Sequence, residues 1–392
     1  MSSPHRFALV AILVALASCA DAPRHGPTPA PSTTDAPHQG APWRTVGTAA
    51  TSLDAIAPPG DPGDPGDPGE PVEPGDPSEP GVTRPTFDEC FAGLRSTTGA
   101  GPDYTPYSPT MGTHCAGTDH QAIEGIERVV FLGDSVTVGT PPNSSNETYR
   151  GLLADRLAER FDLEAPGALW RSWNALSGTA LVTHSGDFWS CAEWGARTDD
   201  LLEDNSQILD CFPELERTKK TLVVMTMGGN DIAAFTKDGA DGMPVDQVSA
   251  NVAAIVQKLR DAIAFLKDPA VFPGGVDVVF TNNFEFTDAT GDVASCPAAG
   301  AAGFDRPWQD PRALADLVVW MMEQYLAIAV ETDSDLVFVL ESFCGHGFHH
   351  DDPTNGCYRG ADAERWFDLT CIHPNPTGHA QLADMFLAVV DE

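Results

Sequence analysis

Four apolar runs of strand length alternate with stretches of helical pattern, and this constrains the fold more than any other feature of the chain. The runs are residues 128–132 (RVVFL), 221–227 (TLVVMTM), 276–280 (VDVVF) and 335–340 (DLVFVL). Near-continuous apolar runs without a polar face read as strands covered on both sides, as in a parallel sheet. Residues 148–161, 246–266 and 310–332 lie between them with apolar side chains at helical spacing, and a last helix is predicted over 376–390. Strand and helix in alternation give an open, doubly wound α/β sheet. Ligands of such sheets bind beyond the carboxyl ends of the strands, so chemistry is expected where the apolar runs stop.

The pattern occupies residues 86–392. Residues 20–85 are dominated by Pro, Gly, Asp, Ala and Thr and carry a repeated Gly-Asp-Pro triplet from Gly60. No core forms from that composition, and the few triplets are too short a run to hold a collagen-type triple helix. The segment reads as a charged, polyproline-like linker with a reach of roughly 200 Å at about 3.1 Å per residue, shortened by its glycines. Before it, His5 and Arg6 precede an apolar run over 7–17, too short for a mature membrane span and suited to a signal-peptide core. Leu16-Ala17-Ser18-Cys19 closes it and resembles the lipobox of bacterial lipoproteins. That resemblance implies a signal over 1–19 and a lipid on Cys19; an ordinary secretory signal with a chance cysteine is the alternative, and both mean export. A lipid-anchored protein would sit in the cell envelope, with the outer membrane as the expected location.

The chain has nine cysteines, so setting Cys19 aside leaves an even eight: Cys90, Cys115, Cys191, Cys211, Cys296, Cys344, Cys357 and Cys371. They are scattered, with no Cys-x-x-Cys, which argues for disulfides in an oxidising compartment and against a zinc site. Loop length alone suggests Cys191 with Cys211 and Cys344 with Cys357. The formal net charge of -35 excludes a nucleic-acid ligand, which needs Lys and Arg against phosphates, and disfavours anionic membrane surfaces other than through the anchor.

Three motifs fall at the ends of the predicted strands or before the last helix. Gly133-Asp134-Ser135-Val136 puts a serine on the turn after the first strand. Gly228-Gly229-Asn230-Asp231 follows the second, where an Asn amide can face a developing oxyanion and glycine lets backbone approach closely. Cys371-Ile372-His373-Pro374-Asn375-Pro376-Thr377-Gly378-His379 precedes the last helix, and the proline keeps His373 in extended backbone, able to serve as a general base. Each alone is a common turn. Together, in this order, they resemble blocks I, III and V of the SGNH (GDSL-type) hydrolase superfamily, and Gly195 in Gly195-Ala196-Arg197-Thr198 is similar to its remaining block.

The resemblance implies a flavodoxin-like three-layer α/β/α sandwich with a parallel five-stranded sheet. It implies a serine ester hydrolase in which Ser135 attacks, His373 takes the proton, and the oxyanion is held by the N–H groups of Ser135 and Gly195 and the Asn230 amide, with no cofactor. Asp134 and Asp231 read as turn-fixing residues. The family's aspartate three residues before the histidine is here Thr370. Either Asp368 reaches the imidazole through a shifted loop, or a backbone carbonyl near Thr370 orients it as a Ser-His dyad; the dyad is the favoured reading. His346, His349 and His350 with Asp351 and Asp352 are a candidate metal cluster, but a surface loop closed by Cys344 and Cys357 is the stronger reading. His379 reads as a helix-face residue. The expected substrate is a small-molecule, lipid or glycan ester and the expected state a monomer. A carbohydrate acetylesterase and a non-catalytic lipoprotein binding glycan or lipid are the competing readings.

Overall fold

The apolar runs become strands because each is buried on both faces, and in β1, β6 and β7 every residue is buried. The computed structural model describes residues 84–98, 101–203, 206–300, 308 and 310–392. The signal stretch 1–19 with Cys19, and the linker except for residues 84 and 85, lie outside them. The strands in chain order are β1 Arg128–Gly133, β2 Trp173–Asn174, β3 Thr179–Ala180, β4 His184–Ser185, β5 Phe188–Ser190, β6 Thr221–Thr226, β7 Val276–Thr281 and β8 Asp335–Val337. The main sheet has the order β4-β5-β1-β6-β7-β8, while β2 and β3 form a separate hairpin.

Strands β5, β1, β6, β7 and β8 run parallel. The sheet nevertheless has six strands where five were expected, because β4 turns back on β5 as an antiparallel edge. Neither β4 nor β5 shows in the sequence, since two or three residues carry no periodicity. The fourth apolar run is shorter than predicted: the chain leaves the sheet after Val337, and residues Val339–Phe343 form a helical turn. The free edge of β8 is covered by the segment around Gly117, where Thr118 N donates to Leu336 O at 3.0 Å.

Among the described residues the helices that flank the sheet include α1 Tyr149–Phe161, α2 Gly229–Ala240, α3 Val245–Leu266, α4 Pro311–Glu331 and α5 Pro376–Val390. Their starts follow local capping. Thr148, Asp310 and Asn375 accept from backbone N–H groups of the first turns of α1, α4 and α5, and proline opens α4 and α5, where its missing N–H costs nothing. Leu153 and Leu157 of α1 and Leu382 and Phe386 of α5 pack on Val129, Phe131, Leu222, Val224 and Val279. The alternate strand residues, among them Val130, Val223 and Phe280, point the other way and are equally buried; Phe280 there meets Tyr325 of α4. At about 1.5–3 kcal/mol for each fully buried large apolar side chain, these two layers supply the main stabilisation.

Disulfides join Cys90 to Cys115, Cys191 to Cys211, Cys296 to Cys371 and Cys344 to Cys357. The two short-range pairings agree with those read from loop length. The Cys296–Cys371 bridge is the long-range one, and it ties the loop beyond β7 to the loop that carries His373.

Candidate active site

Ser135 stands on the turn that ends β1, as first residue of the helical turn Ser135–Val138. Asp134 caps it, with Oδ1 accepting from Val136 N at 3.0 Å and from Thr226 Oγ1 at 3.1 Å. Behind it, the Gln207 amide accepts from Gly133 N at 2.8 Å and donates to Gly133 O at 2.9 Å, doing for the strand end what a neighbouring strand would. Burial raises the Asp134 carboxyl to about 6. None of these bonds involves the Ser135 hydroxyl, which stays free for another partner.

At the end of β6 the chain turns through Gly228 into α2. Its φ of 114° lies in the region that favours glycine. Space demands glycine there too: a Cβ would lie 2.2 Å from the Tyr325 hydroxyl. The helix start that results clips the segment carrying Gly195 in place. Asn230 Nδ2 donates to Ala196 O at 2.8 Å, and Asp231 Oδ2 accepts from Thr198 N at 3.0 Å and Thr198 Oγ1 at 2.8 Å. Desolvation pushes Asp231 up to about 7. One amide hydrogen of Asn230 is thus used on Ala196 and the second is left over. Among the described residues neither the Ser135 nor the Gly195 backbone N–H donates to a protein acceptor. Three donors without a protein partner among the described residues therefore belong to Ser135 at the end of β1, Gly195 in the loop after β5 and Asn230 at the end of β6.

His373 arrives from the opposite side on a tight loop. Asp368 N donates to His373 O at 2.9 Å, Phe367 bridges Pro374, and Asn375 N donates to Trp366 O at 2.7 Å. Asn143, from the segment after the Ser135 turn, donates to Pro374 O at 2.8 Å. So held, His373 Nε2 lies 2.8 Å from Ser135 Oγ. Both residues are buried, Ser135 with 5 % and His373 with 1 % of its surface exposed, and burial lowers the imidazole to about 4. The imidazole is accordingly neutral at pH 7, with one ring nitrogen's lone pair available.

The group on the other ring nitrogen is neither the Asp368 carboxylate nor a backbone carbonyl. Thr370 Oγ1 lies 2.8 Å from His373 Nδ1. The same hydroxyl is 2.5 Å from Asp368 Oδ1, which also accepts from Thr370 N at 2.7 Å. Asp368 is 6 % exposed, its Oδ2 has no partner, and burial raises it to about 6.

The structure thus brings Ser135 and His373 into contact, sets Gly195 and Asn230 on joined segments, and leaves Asp368 one hydroxyl away from the imidazole. Thr370, Gln207 and Asn143 were not singled out by sequence. For Thr370 a signal existed, because Asp368-Leu369-Thr370 has the spacing at which a carboxylate takes a hydroxyl and N–H two residues on. The other histidines are engaged elsewhere. His346 stacks on Trp366 with Nδ1 on Glu364 O, His349 meets Asp292, and His350 Nδ1 lies on Gly347 O. Among the described residues no three His, Cys, Asp or Glu side chains converge as metal ligands. His379 is buried in α5, accepting from Tyr149 N at 3.2 Å.

Residues 131–381 match the GDSL-like lipase/acylhydrolase family. The chain belongs to that family. The match runs from within β1 to within α5, so it takes in every residue of the site and makes this GDSL-like protein a carboxylic ester hydrolase. It is similar to the extracellular lipase of Streptomyces rimosus, at 18% identity and a TM-score of 0.39, over 67% of this chain and 99% of that one. It is also similar to a gut microbial diltiazem-metabolizing enzyme, at 15% identity and a TM-score of 0.40, over 69% of this chain and 49% of that one. No curated protein matches the sequence.

Proposed function

We propose that the chain hydrolyses carboxylic esters by a serine acyl-transfer mechanism with Ser135 as nucleophile and His373 as general base. The observation that carries this reading is the 2.8 Å contact between Ser135 Oγ and a neutral, buried His373 Nε2. Ser135 Oγ attacks the ester carbonyl carbon while its proton passes to Nε2. The negative charge that develops on the carbonyl oxygen meets the N–H groups of Ser135 and Gly195 and the spare Asn230 amide hydrogen. Collapse expels the alcohol, which takes the proton from His373. Water then enters, gives its proton to Nε2 and attacks the acyl-serine; collapse returns that proton to Ser135 and releases the acid.

The substrate is a lipid, glycan or small-molecule ester, and acyl length separates a lipase from an acetylesterase. Hydrolysis of p-nitrophenyl esters from acetate to palmitate is the test. Ser135→Ala should abolish it while the circular dichroism spectrum is retained, because only the nucleophilic oxygen is lost. Wild-type turnover by folded Ser135→Ala would refute the mechanism. The four disulfides fit an oxidising compartment and so support export; tethering of a monomer through Cys19 by the 20–85 linker is part of the same proposal.

A further inference from the structure

A histidine acting as general base needs its other ring nitrogen oriented, and here the group on that nitrogen is a hydroxyl. The hydrogen-bond directions are fixed by inventory. A buried Asp368 carboxylate only accepts, so the Thr370 proton points to Asp368 Oδ1 at 2.5 Å. Thr370 Oγ1 is then left to accept from His373 Nδ1–H at 2.8 Å, which leaves Nε2 as the acceptor of the Ser135 proton. The chain Ser135, His373, Thr370, Asp368 has a single consistent sense. Each member but serine is held by the same short loop, with Thr370 N also on Asp368 Oδ1 and Asp368 N on His373 O.

We propose that Thr370 and Asp368 are positioning residues of this hydrolase, the Thr370 hydroxyl relaying the orienting and charge-stabilising effect of the Asp368 carboxylate to His373. The proposal rests on the serine-histidine reading above. No proton moves to Asp368: during attack the Ser135 proton goes to Nε2, Nδ1–H keeps its bond to Thr370 Oγ1, and the imidazolium is stabilised by the carboxylate through a polarised hydroxyl. Asp368 has one oxygen without a partner among the described residues and burial raises its carboxyl to about 6, so it is a costly group to keep for loop structure alone.

The groups that face this pair are few. Arg365 lies on the Asp368 side and lowers it slightly, and His379 of α5 neighbours His373 but is itself held at about 3 by burial, hence neutral. An ionised Asp368 favours the imidazolium. Wild-type kcat/KM should therefore fall as pH drops through about 6, where Asp368 takes a proton, whereas Asp368→Asn should lose activity only toward about 4, where His373 itself charges.

The test measures kcat and KM on a p-nitrophenyl ester from pH 4 to 8 for wild type, Thr370→Ser, Thr370→Val, Asp368→Asn and the double variant Asp368→Ala/Thr370→Asp. Thr370→Ser keeps the hydroxyl and should stay within several-fold of wild type, while Thr370→Val should lose on the order of 100-fold to 10,000-fold in kcat with KM little changed. Asp368→Asn should lose turnover and shift its acid limb to lower pH. The double variant moves a carboxylate into direct contact with Nδ1 and should recover most of what Thr370→Val loses. Wild-type kcat in Thr370→Val, or an unmoved acid limb in Asp368→Asn, overturns the relay; should Thr370→Val not fold, the acid limb decides. Activity in folded Ser135→Ala would instead remove the serine mechanism itself, so the two failures are told apart.

Discussion

Replacing Asp368 by asparagine should stabilise the fold at neutral pH, and the size of the effect follows from the carboxyl's surroundings. Burial raises Asp368 from an ordinary 3.8 to about 6 in the folded state, because the charged form is the one that loses water. The folded state therefore binds the proton more tightly than the unfolded one. Below the unfolded value the carboxyl is neutral in both states and carries no penalty; the penalty develops as pH rises from 3.8 to about 6 and then stays. A rise of that size corresponds to about 3 kcal/mol. Asparagine removes the penalty but places an amide N–H where Oδ2 has no partner, a loss of about 1–3 kcal/mol that does not depend on pH. The pH dependence is thus the clean observable. With an unfolding entropy near 2.1 cal/mol/K per residue over roughly 300 folded residues, 3 kcal/mol is about 5 °C. Because a small part of the penalty is already present at pH 4, the difference in Tm between Asp368→Asn and wild type should grow by about 4 °C in favour of the variant from pH 4 to pH 7.5, measured by scanning calorimetry with both proteins in the same buffers. A difference that is flat across that range would refute the reasoning, whatever its absolute size.

Asn230→Ala should lower kcat on the order of 100-fold to 1,000-fold, as loss of one oxyanion donor does, with the released Ala196 carbonyl placing it toward the larger figure. Asn230→Asp should be slower still, because it sets a negative charge against both the developing oxyanion and that carbonyl; an effect confined to KM in steady-state assays would remove Asn230 from the oxyanion hole. Metabolic labelling with a fatty acid should mark the full-length protein and spare Cys19→Ser, and unlabelled wild-type protein in the soluble fraction would show that the lipobox is a chance match.

The parts of the fold legible in the sequence are those with long repeats of pattern. β1, β6 and β7 announce themselves by apolar residues that face both layers, and α5 by its Asn375 cap and Pro376 as much as by its spacing. The parts that were hidden are short. β5 is a three-residue strand whose pairing with β1 is decided by the Cys191–Cys211 region and by Val129 N reaching Asp187 O, neither of which leaves a local pattern. The site shows the same division. Ser135, Asn230, Gly195 and His373 sit in motifs because each works through the backbone turn on which it stands. The group on His373 Nδ1 was misread as a backbone carbonyl or Asp368 because its identity depends on how six residues fold back on themselves, a question of loop geometry that residue types do not answer.

That loop geometry also separates the two halves of the chemistry. The proposed oxyanion side is built into the sheet: Gln207 grips Gly133, Asp134 grips the turn and Thr226, and Asp231 and Asn230 clip the Gly195 segment to α2. The base side is a loop outside the sheet, fastened at separate points by the Cys296–Cys371 bridge, by Asn143 on Pro374 and by the Asn375 cap. Distortions of the first kind cost core packing and should show as lost stability together with lost turnover. Distortions of the second kind cost little packing, since the loop's polar bonds are mostly among its own residues, yet they move the nitrogen that must sit 2.8 Å from Ser135 Oγ. Turnover is therefore expected to be more sensitive than stability to changes at Asn143 or Thr370, and equally sensitive to both at Asp231 or Gln207, which places the control of this enzyme's activity in the loop that sequence patterns describe least.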